Sequence, residues 1–111
     1  MIDWNRVQEL RDEVGAEDFD DVVEVFLAEM DEIMERLGTA EEAVVSSDEL
    51  HFLKGSALNL GFRALGALCA DSEQALRESA VAGAPAAPLL RCYGESRAEF
   101  LASLRSDPAA A

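Results

Sequence analysis

The clearest helical pattern in this 111-residue chain is EDFDDVVEVFLAEMDEIMERLG, residues 17–38. Its apolar residues recur at spacings of three and four, which places them on one face of an α-helix of about five turns. Gly38 is typical of a residue that ends a helix. We interpret this stripe as a face buried in a protein core. Its members are Phe19, Val22, Val23, Phe26, Leu27, Met30, Ile33, Met34 and Leu37.

Similar patterns on both sides of this segment predict four further helices. Thr39 with Glu42, and Ser46 with Glu49, have the spacing of capping boxes at helix starts. No stretch alternates with a period of two, so no strands are predicted. The chain should form an all-α antiparallel four-helix bundle with a short additional N-terminal helix, as one domain over residues 1–106, followed by a disordered tail over 107–111. The further helices are expected from near Asp3 to Gly15, from about Ser47 to Leu60, from about Arg63 to Val81, and from near Pro88 onward.

Charge and cysteine content narrow the classes of function. The formal net charge is −14, from 23 acidic and 9 basic residues, and a surface this acidic repels nucleic acid and anionic lipid. No apolar run approaches the roughly 20 residues of a membrane span, and the N-terminus lacks a signal-peptide pattern, so we expect a cytoplasmic protein. Cys69 and Cys92 stand alone without metal-ligand spacing and are predicted to be free, buried thiols.

The only histidine, His51, belongs to the stretch DELHFLKGSALNLGF, residues 48–62. At 100° per residue, the core-facing side of this helix consists of leucines and an alanine, and the imidazole points away from them toward solvent. Two apolar residues on the histidine's face are expected to be exposed and to form a partner-binding surface. The residues that follow His51 on its face are Lys54, Gly55, Leu58 and Phe62.

Gly55 is the unusual member of this face. A glycine costs about 1 kcal/mol relative to alanine inside a helix, and an outward position offers no packing reason for it. Phosphoryl transfer between proteins gives a functional reason for it. A nucleophilic imidazole must be exposed, and the helix surface beside it must not project far enough to block the partner. We therefore interpret His51 as a candidate phosphoacceptor, with Gly55 supplying clearance and Lys54 a charge that offsets the phosphoryl group.

The sequence HFLKGSALNLG, followed by ALGALCADSE, resembles the histidine phosphotransfer (HPt) domain of multistep phosphorelays. The signature of that family is H-x-x-K-G-S, a small residue, and a glycine a few positions later. The resemblance implies that His51 carries the phosphoryl group on the ring nitrogen remote from the backbone, with Lys54 and Gly55 in supporting roles. The matching residues are His51, Lys54, Gly55, Ser56, Ala57 and Gly61, and Cys69 and Glu73 continue the match in the next helix.

The resemblance also implies the partners, which are the receiver domain of a response regulator and a sensor or hybrid histidine kinase. The sequence contains no phosphate-binding loop and no glycine-rich nucleotide lid, so we expect a phosphotransfer intermediate and not an ATP-dependent enzyme. We expect no cofactor or metal on this chain, with Mg²⁺ held by the partner receiver domain, and a monomer. Two other interpretations stay open: the substrate domain of a histidine kinase, excised or acting in trans, and a non-catalytic docking bundle in which His51 is incidental.

Overall fold

The computed structural model describes residues 1–39, 43–79 and 83–106. Three predictions lie wholly or partly outside these ranges: the capping box that involves Glu42, the last turn of the fourth helix to Val81, and the tail 107–111. Within the described ranges the chain forms five helices and one pair of short strands. These elements are α1 (Trp4–Val14), α2 (Ala16–Gly38), β1 (Val44–Val45), α3 (Ser47–Leu60), α4 (Arg63–Ser79), β2 (Ala84–Pro85) and α5 (Ala86–Ser106).

The helices pack together as an all-α bundle, which confirms the predicted fold class. Helices α3 and α4 form the closest pair and run antiparallel. Leu58, near the end of α3, contacts Gly66 near the start of α4, whereas Lys54, earlier in α3, contacts Glu73, later in α4. Helix α5 packs against α2 and α4. None of the helices in the described ranges has the length and apolar character needed to cross a membrane.

The helix bounds follow from capping chemistry that can be read in the sequence. The side chain of Asp3 accepts a hydrogen bond from the backbone N–H of Arg6 at the start of α1. Ser46 and Glu49 form the predicted capping box, with both reciprocal hydrogen bonds present, so α3 begins at Ser47 as expected. Gly61 ends α3 in the left-handed conformation, with φ of +91°.

Two details of the fold differ from the sequence prediction. The prediction of no strands is wrong, because Val44 pairs with Pro85 and Val45 with Ala84 in an antiparallel ladder. Each strand has only two residues, which is too short to show a period-two pattern. Helix α5 begins at Ala86, two residues before the expected start, and Pro88 still lies in the first turn, where its missing N–H costs no helical hydrogen bond.

The core is a single apolar cluster with a group of hydrogen-bonded polar side chains at its side. Phe62, Tyr93 and Phe100 meet in its aromatic part, with the ring centroids of Phe62 and Phe100 5.3 Å apart. The Tyr93 hydroxyl and the Arg97 guanidinium both donate to the carboxylate of Asp31, which joins α5 to α2. The buried Tyr93 hydroxyl also donates to the backbone carbonyl of Leu27 at 3.4 Å, so its polar group has acceptors on α2.

Helix α1 holds the connection between α3 and α4. The backbone N–H of Asp3 donates to the carbonyl of Gly61 at 2.7 Å, and the Arg6 guanidinium donates to the carbonyl of Asn59 at 3.1 Å. The backbone N–H of Ala64 donates to the carbonyl of Met1. These contacts satisfy backbone groups at the end of α3, the helix that carries His51.

The two cysteines are free thiols, as predicted. Cys69 is fully buried in the core, and burial raises the pKa of its thiol to about 12. Cys92 is only half-buried, and burial raises the pKa of its thiol as well. Both groups are therefore uncharged and weakly nucleophilic at neutral pH.

Candidate functional site

His51 lies in the second turn of α3 on the face that points away from the core. Its side chain is 76% exposed, which agrees with the position expected from helix geometry. The opposite face of α3 is buried and consists of Leu50, Leu53, Ala57 and Leu60. The imidazole therefore lies on the solvent-facing side of α3 and is open to another molecule.

Glu73, on α4, is the residue that organises the surroundings of His51. Its side chain is only 7% exposed. One carboxylate oxygen lies 2.9 Å from Nζ of Lys54, and the other lies 3.6 Å from Nδ1 of His51. The second oxygen also lies 4.0 Å from the Arg77 guanidinium. A buried carboxylate thus has positive or polar groups on both of its oxygens.

Electrostatics keep Glu73 ionised. The close contact with the Lys54 ammonium, whose Nζ lies 2.9 Å from the carboxylate, lowers the pKa of the Glu73 carboxyl below its ordinary value. Burial alone would raise that pKa, because it disfavours the charged form. At neutral pH the site therefore contains a carboxylate beside the imidazole, with Lys54 as its main partner.

The orientation of the imidazole distinguishes its two nitrogens. Nδ1 faces the Glu73 carboxylate at 3.6 Å, which is beyond hydrogen-bond distance but close enough for the carboxylate to influence the ring. A carboxylate on this side favours the tautomer with the proton on Nδ1, which leaves the lone pair on Nε2. Nε2 is then the nitrogen available as a nucleophile.

Gly55 lies one turn after His51 and next to open space. A Cβ atom built at this glycine would have no heavy atom of another part of the chain within 4 Å. The residue lies inside α3 and does not have a positive φ. Neither packing nor backbone conformation requires glycine at position 55, so its effect is to keep the surface beside the imidazole low.

The expectation that Phe62 is exposed beside His51 is wrong. Phe62 is fully buried and packs against Tyr93 and Phe100 in the core. The 100° step places residues correctly only while the helix continues, and the left-handed Gly61 turns the chain inward immediately before Phe62. Leu58 is exposed as expected, with 48% of its surface accessible.

The sequence alone does not indicate the roles of two features of the site. Phe52, next to His51, is 43% exposed and supplies the apolar surface that had been expected from Phe62. Glu73 matched the family pattern, but its contact with His51 and Lys54 was not predicted. Its signal was an acidic residue on the buried side of α4, close to Cys69 and Leu76, where an ionised group needs a partner.

A helical bundle that presents an exposed histidine beside a lysine and a glycine is the arrangement of a histidine phosphotransfer module. The family model of the Hpt domain matches residues 21–106, and the chain therefore belongs to the Hpt domain family. Hpt domains are phosphocarrier modules of two-component phosphorelays, and they interact with receiver domains and histidine kinases. Comparisons with curated proteins and with solved structures gave no significant match.

Proposed function

We propose that this protein is a cytoplasmic, monomeric phosphocarrier in which His51 accepts a phosphoryl group from the aspartate of a receiver domain or hybrid histidine kinase and relays it to a response regulator. The observation that carries the proposal is the orientation of the imidazole. Its Nδ1 lies 3.6 Å from the carboxylate of Glu73 and its side chain is 76% exposed, which leaves Nε2 for a partner.

The transfer begins with the lone pair of Nε2. It attacks the phosphorus of an aspartyl phosphate, the N–P bond forms as the P–O bond breaks, and the aspartate leaves as a carboxylate. The proton on Nδ1 stays in place, so the phosphorylated ring gains a positive charge. Glu73 stabilises that charge from 3.6 Å away. Attack by a second receiver's aspartate on the same phosphorus reverses these steps and regenerates neutral His51.

Lys54 and Gly55 have supporting roles in this proposal. Lys54 binds Glu73 at 2.9 Å, so it keeps the carboxylate ionised and in place, and its remaining positive field offsets the charge of the phosphoryl group. Gly55 leaves space for the receiver's active-site edge to approach the ring. Phe52 and Leu58 supply exposed apolar surface on either side for contact with the receiver domain.

Any metal in the reaction belongs to the partner. Phosphoryl transfer needs a cation to neutralise the phosphoryl oxygens, and we propose that the receiver domain supplies Mg²⁺ together with its phosphorylated aspartate. This chain then contributes the nucleophile, the ionised carboxylate behind it and the docking surface.

Labelling from a phosphorylated receiver domain tests this function. The protein is incubated with the labelled receiver domain and Mg²⁺, and we expect a label on the protein that is labile in acid and stable in base. His51→Gln should abolish it, and since the chain has one histidine, loss of the label assigns the acceptor. NMR of the phosphorylated ring should show the phosphoryl group on Nε2.

The same experiment separates transfer from docking alone. Label that persists in His51→Gln would contradict the assigned acceptor. A receiver domain that binds the protein without transferring a label would instead support a non-catalytic docking module. Exposed Phe52 and Leu58 are compatible with docking in both cases, so the label decides between them.

A further inference from the structure

Leu58 lies directly over the backbone of Gly66, where α3 crosses the first part of α4. A Cβ atom built at Gly66 would lie 2.5 Å from Cδ2 of Leu58 and 2.9 Å from its Cγ. Distances this short are not tolerated between carbon atoms. The leucine therefore occupies the space that any other residue at position 66 would need for its side chain.

The backbone gives no other reason for glycine at this position. Gly66 lies inside α4, its N–H donates to the carbonyl of Phe62 at 2.9 Å, and it is not among the positive-φ glycines, Gly15 and Gly61. Glycine is a poor helix former, so alanine would be preferred by α4 itself. The contact with Leu58 is the steric feature of this position: a Cβ at residue 66 would force the end of this flexible, half-exposed side chain to move.

Leu58 and His51 share one face of α3. They are seven residues apart, which is almost two complete turns, so their side chains point in nearly the same direction about 10 Å apart along the helix. Gly55 lies between them with open space above it. A partner surface that covers the imidazole and extends along α3 over Gly55 also meets Leu58, so the height of this side chain affects how closely that surface can approach.

We propose that Gly66 is a positioning residue that holds Leu58 flat against α4 and thereby sets the shape of the receiver-docking surface beside His51. This inference rests on the proposed function. With glycine at position 66, half of Leu58 is covered and the remaining 48% forms a low apolar contact. With a larger residue, Leu58 adopts another of the few rotamers that a helix allows and projects toward the partner.

The variant Gly66→Ala tests the proposal through docking and through the position of Leu58. We expect the receiver concentration that gives half-maximal transfer to rise about tenfold, because a displaced contact weakens docking. The rate at saturating receiver should stay within about twofold, because the site around His51 is not altered. Relaxation of the Leu58 methyl signals by a soluble paramagnetic agent should increase, since the side chain becomes more exposed.

Two further variants distinguish this role from a general loss of stability. Leu58→Ala removes the side chain that the new methyl group displaces, so Leu58→Ala with Gly66→Ala should behave like Leu58→Ala alone. Gly94→Ala is the matched control, because Gly94 is an exposed helical glycine of α5 with no neighbouring atom within 4 Å of a Cβ. It should leave both transfer parameters unchanged.

The outcomes separate this inference from the proposed function. If the unaltered protein accepts phosphate but Gly66→Ala changes neither half-saturation nor the exposure of Leu58, the role of Gly66 is wrong and the proposed function stands. Failure of Leu58→Ala to cancel the effect of Gly66→Ala would overturn the inference in the same way. If the unaltered protein accepts no phosphate from receiver domains, both the proposed function and the docking role of Gly66 are overturned, even where Leu58 moves.

Discussion

The carboxylate of Glu73 on α4 lies 3.6 Å from Nδ1 of His51 on α3. The two residues are brought together by the close packing of these helices, and Lys54 holds the carboxylate from its other side at 2.9 Å. A single buried acid thus links the candidate phosphoacceptor to the only lysine of the chain. The effects of this site on the rate of phosphoryl transfer, on access to the imidazole and on the stability of the fold can be tested separately.

Replacing Glu73 by glutamine should slow phosphoryl transfer about tenfold, because a neutral amide no longer stabilises the positive charge of the phosphorylated ring. The amide keeps the shape of the side chain but removes the charge that favours a proton on Nδ1. Stopped-flow or gel-based transfer rates measure the loss, and ¹⁵N chemical shifts of the His51 ring report the change of tautomer.

The control for this variant is Glu95→Gln, which removes an equal charge from an exposed position on α5. Its transfer rate and ring shifts should match those of the unaltered protein. A Glu73→Gln protein with the original rate and tautomer would show that the carboxylate does not orient the imidazole.

Replacing Gly55 by glutamine should block transfer while leaving the helix intact. Glutamine is a better helix former than glycine, and no atom obstructs a side chain at this position, so the free energy of unfolding should rise by a few tenths to about 1 kcal/mol. Urea unfolding followed by circular dichroism measures stability, and labelling from the receiver measures transfer.

Gly94→Gln provides the comparison for Gly55→Gln, since Gly94 is also a helical glycine with open space around it. Both variants should gain stability, but only the change beside His51 should reduce labelling. Full transfer by Gly55→Gln would contradict the clearance role of the glycine.

Acid should destabilise the protein partly through Glu73. The ion pair with Lys54 lowers the pKa of this carboxyl below the ordinary value of 4.5. Because the pKa of Glu73 is lower in the folded protein than in the unfolded chain, the unfolded chain takes up the proton first as pH falls. The stabilisation is therefore fully present above the pKa of the unfolded chain and is lost as pH falls through the pKa of the folded protein. We expect the free energy of unfolding to decrease below pH 4.5 more steeply in the unaltered protein than in Glu73→Gln.

Urea titrations at several pH values between neutral and acidic conditions measure this difference, with Glu95→Gln as a charge-matched control that keeps the steep dependence. Parallel pH profiles for Glu73→Gln and the unaltered protein would mean that the ion pair with Lys54 contributes nothing to folding.

Features that depend on one helix could be predicted from the sequence. The Ser46 and Glu49 capping box, the end of α3 at Leu60 and the outward direction of His51 all follow from local hydrogen bonding and helical periodicity. Each of them requires knowledge only of residues within a few turns. These local features were sufficient to indicate the bundle and the exposed histidine.

Features that depend on packing between elements could not be predicted in this way. The contact of Glu73 with His51 requires the register between α3 and α4, and the ladder of Val44 with Pro85 joins residues that are far apart in sequence. Phe62 was misplaced for a different reason, because Gly61 ends the periodicity on which its expected direction depended. Local patterns therefore predict a residue's direction within a helix, but not its partners across the bundle.

The two phenylalanines near His51 in sequence should respond to alanine substitution in opposite ways. Phe62 is fully buried against Tyr93 and Phe100, so Phe62→Ala should lower the free energy of unfolding by about 3–5 kcal/mol through lost burial and a cavity. Phe52 is 43% exposed, so Phe52→Ala should change stability by less than about 1 kcal/mol while weakening receiver docking. Urea unfolding measures the change in stability, and the receiver concentration for half-maximal transfer measures the change in docking. Each variant is the control for the other, because both substitutions remove the same atoms. A Phe52→Ala protein that unfolds as easily as Phe62→Ala, or that docks with unchanged affinity, would contradict the assignment of Phe52 to the receiver-binding surface.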